Sequence, residues 1–452
     1  DCKPALIIVS SNELFKKIKD YINTQEQKII SFEEIEEKSL LIKDILDETN
    51  YEEKINQSLK RNMPACIIYT SGTAGNPKGV VLSHGGILSN CEGAVELLKP
   101  LTKIKDPIFL TWLPLSHSYE HTVQFIQIIV GAKVFYTESL EKLIANMGAA
   151  KPTIMTAVPR FYQNLFTKIN MNFEKQTGLK KKLINKTLEL GKKLLKKEKF
   201  NFSEKTINFL CNILVRKKIQ NQFGGNLQAF VSGGGALDQK IGEFLNAIGL
   251  PTLQGYGLTE ASPVVSCNLP DLVKVDTVGP PFRTNKVRIA EDGEILIKGE
   301  NVMLGYWNNI EETNKVIKNE WLHTGDIGEI DLNGFLKITD RKKDIIVNLG
   351  GDNIAPSKVE NILCLNELIK QSFVYGDKKN YLVALLVVEK DTNREKIKII
   401  LENINKNLSS IEKIKKFVLT YEEFTINNGM LTPTLKLKRK EIIKNYKQQL
   451  EN

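Results

Sequence analysis

The chain has 452 residues, of which 42% are hydrophobic, 26% charged and 8% aromatic. At ~100–200 residues per domain this length corresponds to about two to four domains, and the composition is that of ordinary globular proteins. A peptide, a disulfide mini-protein, a disordered chain and a fibrous repeat are therefore excluded.

The net charge of +10 comes from one segment. Residues 166–219 contain 15 Lys and Arg against 4 Asp and Glu, a local charge of +11, which leaves the rest of the chain near −1. The lysines are interleaved with Leu and Ile, which favours amphipathic helices over a nucleic-acid-binding arm. The simplest interpretation is a solvated helix face, and the alternative is peripheral contact with an anionic membrane or an acidic ligand.

The six cysteines are scattered, without the close pairs of a zinc or redox site, so we expect reduced thiols in an intracellular protein. We find no signal peptide and no apolar run near the ~18–20 residues of a membrane-spanning helix. These features predict a cytoplasmic protein, whose contact with the inner face of the membrane would be peripheral. Because a strand-like run begins at residue 5, we expect the chain to start inside a domain and to be N-terminally truncated.

Short apolar runs of strand length recur along the first 254 residues and alternate with helical stretches. They lie at 5–9, 65–69, 108–112, 133–136, 153–156, 229–232 and 251–254. This alternation predicts an α/β fold with a large, helix-covered, mostly parallel sheet.

The pattern of strand-like runs and turns changes at about residue 280. From there to 339 the strand-like runs are separated by the turns Asp292-Gly293 and Asn333-Gly334, which predict antiparallel hairpins in a β-rich subdomain. The charged tetrapeptide 340–343 predicts a domain boundary. We therefore expect a large domain over 1–339 and a small α+β domain over 344–452.

The stretch from Tyr69 to Val80 holds four hydroxyl side chains, three glycines and Lys78. Backbone N–H groups, hydroxyls and an ammonium at this density can wrap phosphate oxygens. Lys78 is followed by Gly-Val, so the Walker pattern of P-loop ATPases is disfavoured. Taken alone, the stretch is also compatible with a Gly/Pro hairpin turn.

Seven further motifs follow this phosphate loop. They are LPLSHSYEH at 113–121, SGGGAL at 232–237, GYGLTE at 255–260, GEI to GYW at 293–307, TGD at 324–326, DRKKD leading to GGDNIAP at 340–356, and LTPTLK at 431–436. With its motifs in this order, the sequence resembles the adenylate-forming (acyl-CoA synthetase/luciferase-like) superfamily. The last motif and the basic insertion resemble its long-chain fatty-acyl-CoA synthetase branch.

The resemblance implies a two-step ligase reaction. A fatty acid and ATP give an acyl-adenylate and pyrophosphate, and the thiol of coenzyme A then displaces AMP. A carboxylate needs this activation because its oxygen is otherwise a poor leaving group. The enzyme's task is to align the reactants and to offset charge on phosphate oxygens. ATP, Mg2+ and coenzyme A are therefore the species that the resemblance implies.

The resemblance also implies roles for single residues. Glu260 would bind Mg2+, Thr259 would touch the α-phosphate, and His117 would lie beside the acyl entrance, while Lys436 would serve adenylation. The implied ATP/AMP-binding set is Thr70, Ser71, Gly72, Thr73, Lys78, Gly234, Gly235, Ala236, Tyr256, Asp326 and Arg341. Within it, Tyr256 would stack on adenine, and Asp326 would accept hydrogen bonds from the ribose hydroxyls.

In the superfamily the small domain rotates between the two half-reactions. The hinge residue of its motif corresponds to Lys343, and the loop with Gly350 and Gly351 would serve the coenzyme A step. The sequence departs from the family pattern at Val347, where some relatives have a lysine, and at Leu435, where a glycine often precedes the C-terminal lysine.

Two alternatives remain open at this point. The same adenylation chemistry could deliver the acyl group to an acyl carrier protein. A non-catalytic relative that binds membranes or anions through the basic segment is the other alternative, and it leaves the motif series unexplained. No nucleic-acid partner is expected.

Overall fold

The computed structural model of the chain describes residues 2–23, 26–37, 39–46, 58–70, 77–101, 106–139, 141–432 and 435–451. The chain divides into two compact units, 1–60 and 61–452. Ser71, Gly72 and Thr73 of the predicted phosphate loop lie outside the described residues.

The first unit is a small parallel sheet with short helices. Its elements are β1 Leu6–Val9, α1 Asn12–Ile18, β2 Lys28–Ser31, β3 Leu40–Leu41 and α2 Ile42–Leu46. The strands pair in parallel in the order β1-β2-β3, and Phe15, 2% exposed, packs with Val9 and Ile29 in the core. The strand predicted at 5–9 is confirmed, although it belongs to this separate sheet.

The second unit begins with alternating strands and helices. These are β4 Pro64–Thr70, β5 Lys78–Ser83, α3 His84–Leu98, β6 Ile108–Thr111, α4 Ser118–Ile129, β7 Lys133–Tyr136, α5 Leu143–Ala150, β8 Ile154–Ala157, α6 Pro159–Glu174, α7 Gly178–Leu195, α8 Phe202–Cys211, α9 Lys217–Gln222, β9 Ala229–Ser232, α10 Gln239–Ala247, β10 Thr252–Gly257 and β11 Val264–Cys267. A π-helical turn, Asn212–Arg216, joins α8 to α9.

The remaining elements are mainly strands, with four helices among them. These are β12 Asn285–Ile289, β13 Glu294–Gly299, β14 Gly305–Tyr306, α11 Ile310–Val316, β15 Ile317–Lys318, β16 Trp321–Ile330, β17 Leu336–Arg341, β18 Ile346–Val347, β19 Asn353–Ile354, α12 Pro356–Leu363, β20 Gln371–Tyr375, β21 Leu382–Val387, α13 Arg394–Asn405, β22 Ile414–Thr420 and α14 Arg439–Glu451.

The largest sheet has the strand order β11-β10-β9-β8-β6-β7. Its strands from β7 to β10 pair in parallel, and only the edge strand β11 is antiparallel. Two apolar clusters cover it, one around Tyr162 and Phe230, both 0% exposed, and one around Phe109 and Leu253. The predicted helix-covered, mostly parallel sheet is confirmed.

The run at 65–69 is an exception to that prediction. It forms β4, which pairs antiparallel with β5 in a separate three-stranded sheet with β14. Only residues 71–77 connect β4 to β5, whereas parallel neighbours need a crossover of a dozen or more residues. The short connection therefore makes a hairpin.

The β-rich region is a five-stranded sheet of β12, β13, β16, β15 and β17. The hairpins β12–β13 and β16–β17 are antiparallel and turn at Asp292-Gly293 and Asn333-Gly334, as the sequence predicts. Gly293 and Gly334 both have φ of +81°, where glycine is favoured. β17 then runs directly into a turn at 342–344, which contains the predicted hinge residue Lys343.

The basic segment folds into α6, α7, α8, the π-helical turn and α9, which confirms the predicted amphipathic helices. Ile184 is 8% exposed, and Leu183 and Leu188 pack against the large core cluster. Leu194 differs, since it is 48% exposed.

The part after 343 contains a three-stranded sheet, β20-β21-β22, packed with α12 and α13. β21 is buried along its whole length. The division into domains at 340–343 stays a prediction. No helix within the described ranges combines the length and the apolar character needed to cross a bilayer.

Candidate active site

The candidate site lies at the carboxyl ends of the parallel strands, where loops from neighbouring strands meet. β9 leads into the glycine loop 233–235, and the adjacent strand β10 leads through Tyr256 into Thr259 and Glu260. Gly234 has φ of +80°, a conformation that favours glycine. Sheet topology thus brings two of the motifs side by side.

The turn that carries Thr259 and Glu260 is supported from beneath by a buried amide. Asn90 of α3 is 0% exposed. Its Nδ2 donates to the carbonyls of Val264 at 2.8 Å and Ala261 at 3.4 Å. The backbone of the turn is therefore held by α3, a helix that follows the phosphate loop in sequence.

The side chains of this turn are also oriented. The hydroxyl oxygens of Thr259 and Ser118 are 3.0 Å apart, which ties the turn to the start of α4. The Tyr306 hydroxyl donates to Oε1 of Glu260 at 2.9 Å. Both side chains are thus fixed by the protein itself.

Tyr256, Asp326 and Arg341 converge in one polar group. The Tyr256 hydroxyl donates to Oδ2 of Asp326 at 2.7 Å, and Nε of Arg341 lies 3.4 Å from Oδ1. β16 and β17 place Asp326 and Arg341 directly opposite each other. Burial raises the pKa of Asp326, against the opposing effects of Arg341 and Tyr256, and burial also raises the pKa of Tyr256 well above its usual value. Tyr256 therefore remains a hydrogen-bond donor.

Lys436 joins this group from the far end of the chain. Its pKa is lowered because surrounding protein removes much of its hydration and because Arg341 repels its charge, while Asp326 and Glu260 act in the opposite direction. Part of the residue nevertheless remains accessible to solvent. The Lys436 ammonium thus lies within electrostatic range of the Asp326 and Glu260 carboxylates.

A tight turn supports Lys436. The Leu435 N–H donates to the Thr432 carbonyl at 2.8 Å, and the Thr432 N–H donates to the Lys436 carbonyl at 2.8 Å. Leu435 has φ of +61°, the left-handed region that favours glycine. This backbone explains why a glycine suits the position, and why Leu435 is a departure with a conformational cost.

His117 lies close enough to Lys436 for the ammonium charge to lower its pKa. Burial lowers the pKa of His117 to about 4, and the Lys436 ammonium adds to the effect. Its Nδ1 accepts a hydrogen bond from the Tyr119 N–H at 3.2 Å and caps α4. His117 is therefore neutral near pH 7, with its proton on Nε2.

The ends of the phosphate loop are described at Thr70 and Lys78. The Lys78 ammonium pairs with Glu312 and lies 4.9 Å from the ring centroid of Tyr306. The ammonium groups of Lys315 and Lys78 lower the pKa of Glu312 to about 2. Through Tyr306 the loop lysine is connected to Glu260.

Other predicted residues lie apart from this group. Gly350 and Gly351 form the turn between β18 and β19, and the adjacent Leu349 N–H donates to the Lys379 carbonyl. Within the described ranges, no hydrogen bond of that turn reaches Lys436. The roles of Gly350, Gly351 and Lys343 stay predictions.

The motif analysis assigned no role to Tyr306, Glu312 or Glu120. Tyr306 stands in the Gly-Tyr-Trp motif, so its position was marked by the sequence, whereas Glu312 has no such signal. Glu120, 0% exposed, accepts a hydrogen bond from Thr156 at 2.9 Å. Burial raises the pKa of Glu120 to about 7.

Comparison with known proteins identifies the family of the chain. Residues 1–307 match the AMP-binding enzyme family, and residues 343–452 match the AMP-binding enzyme C-terminal domain. The long-chain-fatty-acid–CoA ligase FadD15 of Mycobacterium bovis is 32% identical over 419 residues, covering 87% of this chain and 70% of that protein. Mouse long-chain-fatty-acid–CoA ligase 5 is 33% identical over 429 residues, covering 85% of this chain and 61% of its own length.

Solved structures share the fold at lower identity. ATP-bound MatB from Rhodopseudomonas palustris is 20% identical with a TM-score of 0.73, covering 100% of this chain and 80% of that one. The O-succinylbenzoate coenzyme A synthetase MenE of Bacillus subtilis, in complex with ATP and magnesium, is 22% identical with a TM-score of 0.66, covering 98% and 82%. The resemblance inferred from the motifs is thus confirmed, and the chain belongs to the AMP-binding enzyme family, where its curated relatives are long-chain-fatty-acid–CoA ligases.

Proposed function

We propose that this protein is a long-chain-fatty-acid–CoA ligase that uses ATP and Mg2+. It joins a fatty acid to the α-phosphate of ATP with release of pyrophosphate, and then transfers the acyl group to the thiol of coenzyme A with release of AMP. The observation that carries the proposal is the convergence of Tyr256, Asp326 and Arg341 at the carboxyl ends of the parallel strands, with the Lys436 ammonium in electrostatic range of Asp326 and Glu260. The names of the curated relatives support the acyl class.

The nucleotide end of the site would be held by the polar group around Asp326. Tyr256 and Arg341 each occupy one side of its carboxylate, which fixes the direction of the remaining lone pairs. A pair of vicinal ribose hydroxyls fits such an oriented acceptor. The glycine loop 233–235 would let the base approach the backbone closely.

The reacting end would be served by Lys436 and His117. An ammonium beside the carboxylate and the α-phosphate offsets their mutual repulsion as they meet. The pKa of Lys436 is lowered because the ammonium has lost hydration. A bound anion would raise this pKa again, because it favours the charged form. His117, neutral near pH 7, offers an Nε2–H donor without adding a second positive charge.

Glu260 fits a Mg2+ ion that is shared with phosphate. Such sites need only one or two carboxylates, because phosphate oxygens and water complete the octahedron. Within the described ranges, no three His, Cys, Asp or Glu side chains form a cage of protein ligands alone. Of the Glu260 oxygens, Oε1 accepts from Tyr306, and Oε2 accepts no hydrogen bond from a described residue. When bound, the ion would offset charge on the phosphate chain.

Exchange of labelled pyrophosphate into ATP tests the first step, because it requires an acid that the enzyme can adenylate. We expect exchange to depend on a fatty acid of long chain, and we expect added coenzyme A to convert the intermediate into a thioester. If the thioester forms only with an acyl carrier protein, that protein and not coenzyme A is the acceptor. No exchange with any fatty acid would contradict the proposal.

We also propose that the protein works in the cytoplasm and touches the inner face of the membrane peripherally through the basic segment 166–219. The local charge of +11 supports attraction to anionic lipid. The proposed substrate partitions into bilayers, so contact would bring the enzyme to it.

A further inference from the structure

The basic segment exposes apolar side chains on one face of α8 and the π-helical turn. The exposed fractions are 87% for Phe202, 63% for Phe209, 45% for Leu210, 40% for Ile213 and 44% for Leu214. Their spacing of three, four and seven residues places them along one side of a helix. Five large apolar side chains on one stripe form a contiguous patch of the kind that marks an interaction surface.

The opposite face of the same helices is firmly packed. Cys211 is 0% exposed and Val215 8% exposed. The guanidinium of Arg216 donates to the Ala247 carbonyl at 2.9 Å and to the Thr187 carbonyl at 3.2 Å, which fastens the turn to α10 and α7. The apolar stripe is therefore presented to solvent on a rigid base.

The charged residues beside the apolar stripe indicate which kind of partner it fits. Lys205, Lys217 and Lys218 are exposed on the same stretch. Glu204, the one acidic residue between 202 and 218, is buried and paired with Lys193. An apolar stripe flanked by lysines alone complements an anionic surface, whereas two copies of this chain meeting through it would bring lysine against lysine.

The lysines of α7 are a poorer candidate for the contact. Four of them already have acidic partners: Lys181 with Glu174, Lys186 with Glu189, Lys192 with Glu243 and Lys193 with Glu204. Ion-paired lysines contribute less net charge to a lipid surface. On α8 and the turn that follows it, the exposed apolar stripe occurs together with lysines that form no ion pair within the described ranges.

We propose that the docking face, defined as Phe202, Lys205, Phe209, Leu210, Ile213, Leu214, Lys217 and Lys218, seats the protein on an anionic lipid bilayer. The helix lies in the plane of the headgroups, with its Phe and Leu side chains in the acyl boundary and its lysines among the phosphates. The proposal rests on the proposed function for its purpose, since a long-chain acid is drawn from such a surface.

Flotation of the full chain with vesicles tests the docking face. The probes are vesicles of phosphatidylcholine with about one third phosphatidylglycerol, and vesicles of phosphatidylcholine alone. An apolar variant carries Phe209→Ser and Ile213→Ser, and a charge variant carries Lys205→Gln, Lys217→Gln and Lys218→Gln. The matched control removes the same charge from α7 and its C-terminal end through Lys180→Gln, Lys182→Gln and Lys196→Gln.

We expect the wild type to bind the anionic vesicles at low salt and to be released as salt rises. The charge variant should lose about 100-fold in partitioning, since each lysine near the surface contributes about fivefold. The apolar variant should lose at least tenfold, and the α7 control should lose much less than either. Thermal unfolding checks that each variant is folded.

Several outcomes would overturn the docking face. They are failure of the wild type to float with anionic vesicles, wild-type binding by the apolar variant, and equal loss in the α7 control and the charge variant. A dimer in sedimentation that the apolar variant dissociates would identify the face as an interface between copies instead. Pyrophosphate exchange with a soluble fatty acid and no vesicles should stay unchanged in all variants, so a failure of docking is distinguishable from a failure of the proposed reaction.

Discussion

At the scale of single residues, Lys436 is the side chain on which the proposed reaction depends most. It lies within electrostatic range of Asp326 and Arg341, which are more than ninety positions earlier in the chain, and follows Leu435, which adopts φ of +61°. A side chain in this position depends on the placement of the whole C-terminal part. Its contribution should therefore be confined to the step in which that placement holds.

Replacement of Lys436 by Ala should abolish pyrophosphate exchange, because the charge shared by carboxylate and α-phosphate loses its counterion. Transfer of the acyl group from supplied acyl-adenylate to coenzyme A should continue, measured as loss of free thiol. Lys438→Ala is the matched control and should change little. Equal loss of both half-reactions in a folded Lys436→Ala protein would refute the step-specific role.

Glu260 offers a test of the proposed metal position. Glu260→Gln keeps the shape but removes the charge, so exchange should fall by about two orders of magnitude or more and require higher Mg2+. Tyr306→Phe removes only the hydrogen bond that orients Oε1, and we expect a loss of about tenfold. Measured Mg2+ dependence that is unchanged in Glu260→Gln would rule out this ligand.

Glu120 predicts a pH dependence of stability. Burial raises the pKa of Glu120 from 4.5 to about 7, so the folded state holds a proton that the unfolded state releases between these values. The free energy of unfolding should fall as pH rises through this range, by at most about 1.4 kcal/mol per pH unit, and stay level above it.

Glu120→Gln should remove that slope and gain stability relative to the wild type as pH increases to 7. Unfolding midpoints in urea at pH 5, 6, 7 and 8 measure the difference. Glu291→Gln, at an exposed glutamate, is the control and should run parallel to the wild type. Parallel curves for Glu120→Gln as well would contradict the prediction.

At the scale of elements, close helix packing explains a glycine in the middle of α7. A Cβ on Gly191 would lie 2.4 Å from the Ala247 Cα and 2.5 Å from its Cβ, so α10 would have to move. The contact fixes the base on which the docking face stands. A glycine is needed at position 191 because the backbones of α7 and α10 lie close together there, and not because the chain turns.

Gly191→Ala should therefore destabilise the protein by about 1–3 kcal/mol, the usual cost of overpacking. Gly148→Ala on α5, where nothing lies within 4 Å of an added Cβ, should instead gain about 0.5–1 kcal/mol. The urea midpoints of the two variants measure both effects. A Gly191→Ala protein as stable as Gly148→Ala would show that the helices separate at little cost.

At the scale of the whole molecule, the part after residue 343 rests on the large sheet domain near α6. Gln163 Nε2 is 3.4 Å from Asn361 Oδ1, and Leu365 packs against the core cluster of the large sheet. Lys436 lies within electrostatic range of Asp326 in this same arrangement. If the small domain rotates between the half-reactions, the α6–α12 contact must break for the second step.

A cross-link across this contact should therefore separate the two steps. We expect a protein with Gln163→Cys and Asn361→Cys, joined by a short reversible thiol reagent, to keep pyrophosphate exchange. Formation of acyl-CoA should fall at least tenfold and return on reduction. The single-cysteine variants, treated alike, are controls, and Cys2→Ser removes an exposed thiol. Full thioester formation in the cross-linked protein would mean that this contact need not open.

Much of the site could be predicted because its chemistry is local in sequence. The Gly-Tyr-Gly-Leu-Thr-Glu run marks Tyr256, Thr259 and Glu260, and all three lie in the cleft. Glu312 could not be found this way, since its partner Lys78 is more than two hundred residues away and an ion pair over that separation leaves no local pattern. The antiparallel pairing of β4 likewise depends on its partner strand β5, and the apolar run of β4 alone does not predict it.

By itself the sequence determined the strands, the helices and the turn glycines, because periodicity and φ preference act over a few residues. The motif series likewise determined the family. Only the tertiary structure decided that Lys436 lies within electrostatic range of Asp326, and that Phe209 and Leu210 of α8 remain in solvent while Leu190 of α7 is buried. Burial and electrostatic pairing depend on which distant segments meet, and that is settled by the packing of the whole chain.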